Sequence, residues 1–229
     1  MADCLPKCPK ITVEKREHLI KLISETIEKE GPNCDLNFID VSYVTNMSHL
    51  FFNSQFTGDI SRWDVSNVTD MSSMFERAAF NGDISLWNVS NVENMHAMFL
   101  NSQFTGDICQ WDVSRVTNMS HMFWKSRFNG DISQWNVSNV VTMYGLFAYS
   151  QFNGDISQWN TSLVRDMAFM FLCSRFNGDI SQWDVSSVTD MSWMFWKSQF
   201  RGDISRWNVP EEANMKLMFY GSPLELENL

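Results

Sequence analysis

From Ile60 onward the chain repeats one apolar signature. Ile60, Trp63 and Val65 are followed by Val68, Met71, Met74, Phe75 and Phe80, and the series restarts at Ile84. Trp63, Trp87, Trp111, Trp135, Trp159, Trp183 and Trp207 stand 24 residues apart, as do the glycines from Gly58 to Gly202. Asn, Asp, Ser and Thr fill most of the gaps. The consensus is F-N-G-D-I-S-x-W-N-V-S-N-V-T-D-M-S-x-M-F-x-x-S-x, and no insertion breaks it from Asp35 to Phe219. A fixed period of this length marks stacked repeats, each burying its apolar face against its neighbours.

Within a unit, Trp63-x-Val65 alternates as a strand does. Val68, Met71, Met74 and Phe75 fit one face of a short helix, which Ser66, Asn67 or Thr69 could start. Asn81-Gly82 turns the chain into the next unit. The expected fold is an α/β solenoid: a leucine-rich-repeat-like, right-handed stack of about eight strand–turn–short-helix units, roughly 35–40 Å long at ordinary strand spacing. A parallel β-helix is the alternative.

The ends differ from the middle. Residues 1–32 are expected to form an N-terminal cap built on a helix over 12–30. Leu19, Ile20, Leu22, Ile23 and Ile27 form its apolar face, Thr12 its start and Gly31-Pro32 its stop. Residues 33–222 form the repeat solenoid, with Ile39 in place of the first tryptophan, and 223–229 a C-terminal tail or cap.

The run Phe128 to Val140, Phe-Asn-Gly-Asp-Ile-Ser-Gln-Trp-Asn-Val-Ser-Asn-Val, resembles the repeat of BspA-like leucine-rich-repeat proteins, including the mycoplasma-type surface repeat. The resemblance covers about residues 33–222. It implies a leucine-rich-repeat-like solenoid and protein recognition, and it carries over no catalytic residue. Many relatives are exported surface proteins, and this chain departs from them in showing no export signal at its start.

Composition refines the picture. The net charge is −10, and eight of the acids form one column from Asp35 to Asp203. The acidity is therefore mainly structural. It argues against direct nucleic-acid binding, which needs clustered cations. Five cysteines make a disulfide framework unexpected; a zinc site at Cys4, Cys8 and Cys34 is the weaker alternative to reduced thiols. Two readings of the Asp column stand: carboxylates that accept backbone N–H groups in a turn, or a calcium ladder. One glycine per unit favours the first. The Trp and Met columns read as core. Catalytic signatures are missing, and no cofactor or metal is expected.

Invariant columns hold a repeat scaffold; varying columns are free to recognise. The helix side varies most, and its expected partner-binding ridge is His121, Trp124, Lys125, Tyr149, Phe169, Leu172, Trp193, Trp196, Lys197 and Tyr220. Aromatic residues beside lysines favour binding hot spots, and packing between adjacent helices is the competing reading. The second choice is a concave strand face: Arg62, Asp64, Gln110, Asp112, Gln134, Gln158, Gln182, Asp184 and Arg206. The expected function is non-catalytic protein recognition by a bacterial protein. One concrete form is a cytoplasmic, immunity-type antagonist that masks a toxin; the alternative is a surface adhesin exported by a route the sequence does not show. Neither nucleic acid nor membrane is expected as a partner. The expected state is monomeric, with an end-to-end dimer as the alternative.

Overall fold

The computed structural model describes residues 10–226. The chain opens with strand β1 (Ile11–Thr12), helix α1 (Arg16–Glu30) and strand β2 (Ile39–Asp40). Residues 33–222 then wind through successive 24-residue units, and a 3₁₀ turn follows at Pro223–Leu226.

The units are built differently from the expected strand and helix. Residues 60–65 hold no strand and residues 68–75 no helix; both stretches are turns. In the unit that starts at Asp59, backbone turns close from Trp63 N–H to Ile60 (3.1 Å), Val68 to Val65 (2.9 Å), Met74 to Met71 (3.2 Å), Glu76 to Ser73 (3.2 Å) and Ala78 to Phe75 (3.1 Å). Side chains fix the corners. Asp59 Oδ1 accepts the Ser61 N–H (2.8 Å), Asp64 the Ser66 N–H (3.1 Å) and Asp70 the Ser72 N–H (2.9 Å). These are Asx turns, in which a short acceptor side chain replaces a backbone carbonyl.

Backbone groups left over from the turns join the units. Met71, Ser73, Phe75 and Arg77 donate to Asn94, His96, Met98 and Leu100 at 2.7–3.0 Å. Parallel bridges link Asn46, Asp70, Asn94, Asn118, Thr142, Asp166, Asp190 and Asn214 in succession. Along this stretch each unit donates towards the next. Turn bonds and inter-unit bonds alternate, so every amide from Met71 to Ala78 finds an acceptor.

Aromatic ladders fill the interior. Phe51, Phe75 and Phe99 stack with centroids 5.6–5.7 Å apart, and Phe75 also meets Phe80 at 4.5 Å. Trp63 and Trp87 stack at 6.5 Å. Each buried indole keeps its hydrogen bond: Trp63 Nε1 donates to Leu36 (3.0 Å) and Trp111 Nε1 to Ile84 (3.1 Å). Met71, Met74 and Phe75 are fully buried.

The N-terminal end is closed. α1 lays Leu19 and Ile23 on the core, and Ile20 faces solvent. Thr12 does not cap α1; it belongs to β1, and Lys15 takes the capping position without a side-chain bond. β1 pairs in parallel with β2, as one more unit would. The Arg16 guanidinium donates to the Ser48 carbonyl, the acceptor that a preceding unit would otherwise engage.

The C-terminal end is more open. Trp207, Ile204 and Val209 are partly exposed, unlike the same columns in inner units, and Met215 is 49% exposed. A cavity of about 350 Å³ lies there between Ile204, Trp207, Met218 and Leu224. Cys4, Cys8 and residues 227–229 lie outside the described residues; Cys34 is buried, and burial raises its thiol pKa. No helix among the described residues is long and apolar enough to cross a membrane.

Candidate functional site

The varying columns run along the stretch of chained turns. Two of them hold a left-handed backbone in every unit: His49, Ser73, Ala97, His121, Gly145, Phe169, Trp193 and Leu217, then Asn53, Arg77, Asn101, Lys125, Tyr149, Cys173, Lys197 and Gly221. Their φ values lie between 49° and 70°. Such a backbone costs an ordinary side chain about 1 kcal/mol and is worst for β-branched residues. No Val, Ile or Thr stands in either column. The inter-unit bonds donated from these same residues, such as Lys125 N–H to Ala148 (2.9 Å), hold the strained geometry in place.

The geometry projects a continuous aromatic strip. His121 contacts Trp124 (4.9 Å) and Tyr144 (4.8 Å), Tyr144 contacts Phe169 (5.2 Å), and Phe169 stacks on Trp193 (5.8 Å, 11°). Trp193 meets Trp196 at 5.4 Å, and Trp196 stacks with Tyr220 at 6.2 Å. Trp124 touches Tyr149 at 5.5 Å. Lys125 Nζ lies 5.2 Å from the Tyr149 ring, and Lys197 Nζ 4.3 Å from the Trp196 ring. A Cβ at Gly145 would come within 2.7 Å of the Trp124 ring, so glycine there lets that ring lie flat on the next unit.

Nine of the ten ridge residues thus share one surface. Tyr149, Tyr220, Lys125 and Lys197 are exposed, and His121, Trp124, Phe169, Trp193 and Trp196 are half-buried. Leu172 is the exception: it is 5% exposed and offers a partner nothing. The second-choice face does not form as a strand surface. Arg62, Gln110, Gln134, Gln158, Gln182 and Arg206 sit at the tips of turns. Asp64, Asp112 and Asp184 spend an oxygen on the N–H groups of Ser66, Ser114 and Ser186 at 3.0–3.1 Å. The long Asp column does likewise, with Asp131 Oδ1 on the Ser133 N–H at 2.9 Å and Asp155 Oδ1 on the Ser157 N–H at 2.9 Å.

Burial shapes the electrostatics of the ridge. Desolvation, with His96 nearby, pulls His121 down to about 4. Burial also lowers His96. It raises Tyr144, with Asp166 and Asp190 adding to the effect, and it raises Tyr149, which bonds Cys173. His96 Nδ1 lies 2.7 Å from Ser120 Oγ, but Ser120 donates its proton to Asn118 Oδ1 at 2.6 Å. The serine therefore accepts from the imidazole and is not activated as a nucleophile.

The sequence reading missed His96 and Tyr144, which join the strip one position before a left-handed column, and it missed the exposed cations flanking the strip. The columns that follow the ridge carry Arg127, Arg175 and Arg201. Tallying charge by column would have found them.

Tandem 24-residue units bonded in register, with a variable surface strip, define a tandem-repeat protein. The family model described as Mycoplasma protein of unknown function, DUF285, matches residues 23–129, 100–196 and 125–228, and the chain belongs to that family. No curated protein and no solved structure matches it.

Proposed function

We propose that this chain is a non-catalytic recognition scaffold that holds a partner protein on its aromatic strip. One observation carries the reading. The repeat keeps its core columns nearly constant while the outward columns vary from unit to unit and bring Trp124, Tyr149, Trp196 and Tyr220 to one surface. Large aromatic residues beside cations are the side chains from which binding hot spots are made.

The stack itself is read as a solenoid, closer to the parallel β-helix alternative than to a leucine-rich repeat. The parallel bridges and the absence of any helix from residues 33–222 support that assignment. Within the recognition reading, the finer form is an antagonist that masks a toxin's active site.

The test is capture with tagged wild type beside Trp124→Ser/Trp196→Ser. A partner retained by the wild type and lost by a variant that still melts cooperatively supports the strip. Equal retention moves the site elsewhere on the molecule.

A further inference from the structure

The formal charge of −10 conceals an opposite local field. Along the ridge and the columns beside it, residues 49–57 and their equivalents carry Arg77, Lys125, Arg127, Arg175, Lys197 and Arg201 against two acids, Glu76 and Glu225. All six cations are exposed. Only Arg77 is near a carboxylate, at 3.8 Å from Glu76. Lys125, Arg127, Arg175, Lys197 and Arg201 make no ion pair among the described residues, although the chain has acids to spare. The corner that begins each unit is the reverse. There the Asp59 to Asp203 column is joined by Asp64, Asp112 and Asp184, with Arg62 and Arg206 the cations in between. The fold gathers unpaired cations on one flank of the aromatic strip, while Asp166 and Asp190 lie near Tyr144 on it.

We infer that this face docks an acidic segment of a partner protein, its carboxylates on Arg127, Arg175, Arg201 and the two lysines, its apolar side chains on Tyr149, Trp196 and Tyr220. The inference rests on the recognition reading above and adds the chemistry of the partner. Charge complementarity steers such an encounter and sets its register. Guanidinium groups suit carboxylates because they bind them through two parallel hydrogen bonds.

Nucleic acid is the less fitting polyanion, for two reasons. Single-strand binders offer open aromatic faces on which bases stack. Here rings are already engaged with one another: Trp193 stacks on Phe169 (11° between planes), and Trp196 contacts Lys197 and Tyr220. A long phosphate chain would also feel the overall negative field, whereas a short acidic segment meets mainly the local cations within a Debye length of about 10 Å.

The experiment uses fluorescein-labelled poly-L-glutamate and anisotropy at low salt, on the full chain. Arg127→Glu/Arg175→Glu is compared with Arg62→Glu/Arg206→Glu, an equal charge change at the acidic corner, and with the aromatic variant Trp124→Ser/Trp196→Ser. Thermal melting checks that each variant folds. The expected result is saturable binding that weakens about tenfold or more in Arg127→Glu/Arg175→Glu, stays within about twofold in Arg62→Glu/Arg206→Glu, and falls when salt rises from about 50 to about 300 mM.

Three results overturn the inference: no binding of poly-glutamate, equal loss in both charge variants, or tighter binding of a dT20 oligonucleotide. The aromatic variant separates the two readings. If a captured partner is lost by Trp124→Ser/Trp196→Ser while poly-glutamate is ignored, the strip stands and the acidic partner falls.

Discussion

The indole N–H of Trp135 donates to the carbonyl of Ile108, 27 residues earlier, at 3.1 Å. The same bond recurs from Trp159 to Ile132 and from Trp183 to Ile156. A core ring therefore also ties one unit to the unit before it. Trp135→Phe keeps an aromatic ring but removes this bond, leaving the Ile108 carbonyl with the Trp111 N–H alone (3.2 Å), at a cost of about 0.5–1.5 kcal/mol. Trp135→Ala also opens a cavity and should cost about 3–5 kcal/mol. Urea unfolding of the two variants checks the order; equal losses would show that packing alone matters.

The left-handed columns make a second prediction. Lys125 has φ 54° and is exposed, so its backbone can be tested with little disturbance to packing. Lys125→Val should destabilise by about 1–2 kcal/mol, because a β-branched side chain clashes in that region. Lys125→Asn should be close to neutral, since asparagine tolerates it. Gln103→Val, in a neighbouring exposed column without positive φ, serves as control. Matching losses at both positions would remove the backbone explanation.

His121 predicts a pH dependence. An unfolded histidine takes up a proton near pH 6.5, whereas burial holds folded His121 down to about 4. Between those values the unfolded chain binds more protons, so stability falls as pH falls from about 6.5 towards about 4. His96 is lowered in the same direction and adds to it. The corner carboxylates behave separately: Ser114 and Ser186 hold Asp112 and Asp184 below 3.8, and their contribution is lost only under that pH. His121→Gln should flatten the melting profile above pH 4 and leave the acid limb intact. An unchanged profile would refute the assignment.

Gly145 predicts a local change. A methyl group there would meet the Trp124 ring at 2.7 Å and His121 at 3.0 Å. Gly145→Ala should therefore displace Trp124 from the next unit and red-shift the tryptophan emission. An emission spectrum identical to that of wild type would show that the ring does not rest on this glycine.

Much of the architecture was legible in the spacing alone. Trp63 and its equivalents read as core from their apolar place in the repeat, and those from Trp63 to Trp183 are buried. Asp59 and its column read as turn acceptors, and each oxygen is found on an N–H two residues on. The strand and helix were misread for a definite reason. Val68, Met71 and Met74 step by three, and a chain of i-to-i+3 turns has that step as well as a helical face does. The discriminating sign was present: Ser73 and Arg77 belong to columns without one β-branched residue, as a left-handed backbone requires. The candidate strip was legible in its aromatic residues. Its electrostatics were hidden because the net charge averages Asp59 and its column with Arg127 and Arg175, which the fold places on different corners.

Forward donation also gives the stack a sense. Met191, Trp193, Phe195 and Lys197 donate to Asn214, Lys216, Met218 and Tyr220. In the last unit Glu225 takes the Gly221 N–H, at 2.8 Å, while the matching amides of Met215, Leu217 and Phe219 find no acceptor among the described residues. That edge shows donors in a row. A second copy turned about a two-fold axis would set donor against donor there, whereas a carbonyl-bearing segment running in the same direction would fit. The molecule is in this respect a zipper with one gender of tooth at its open end, so what extends it is selected by direction before any side chain is read.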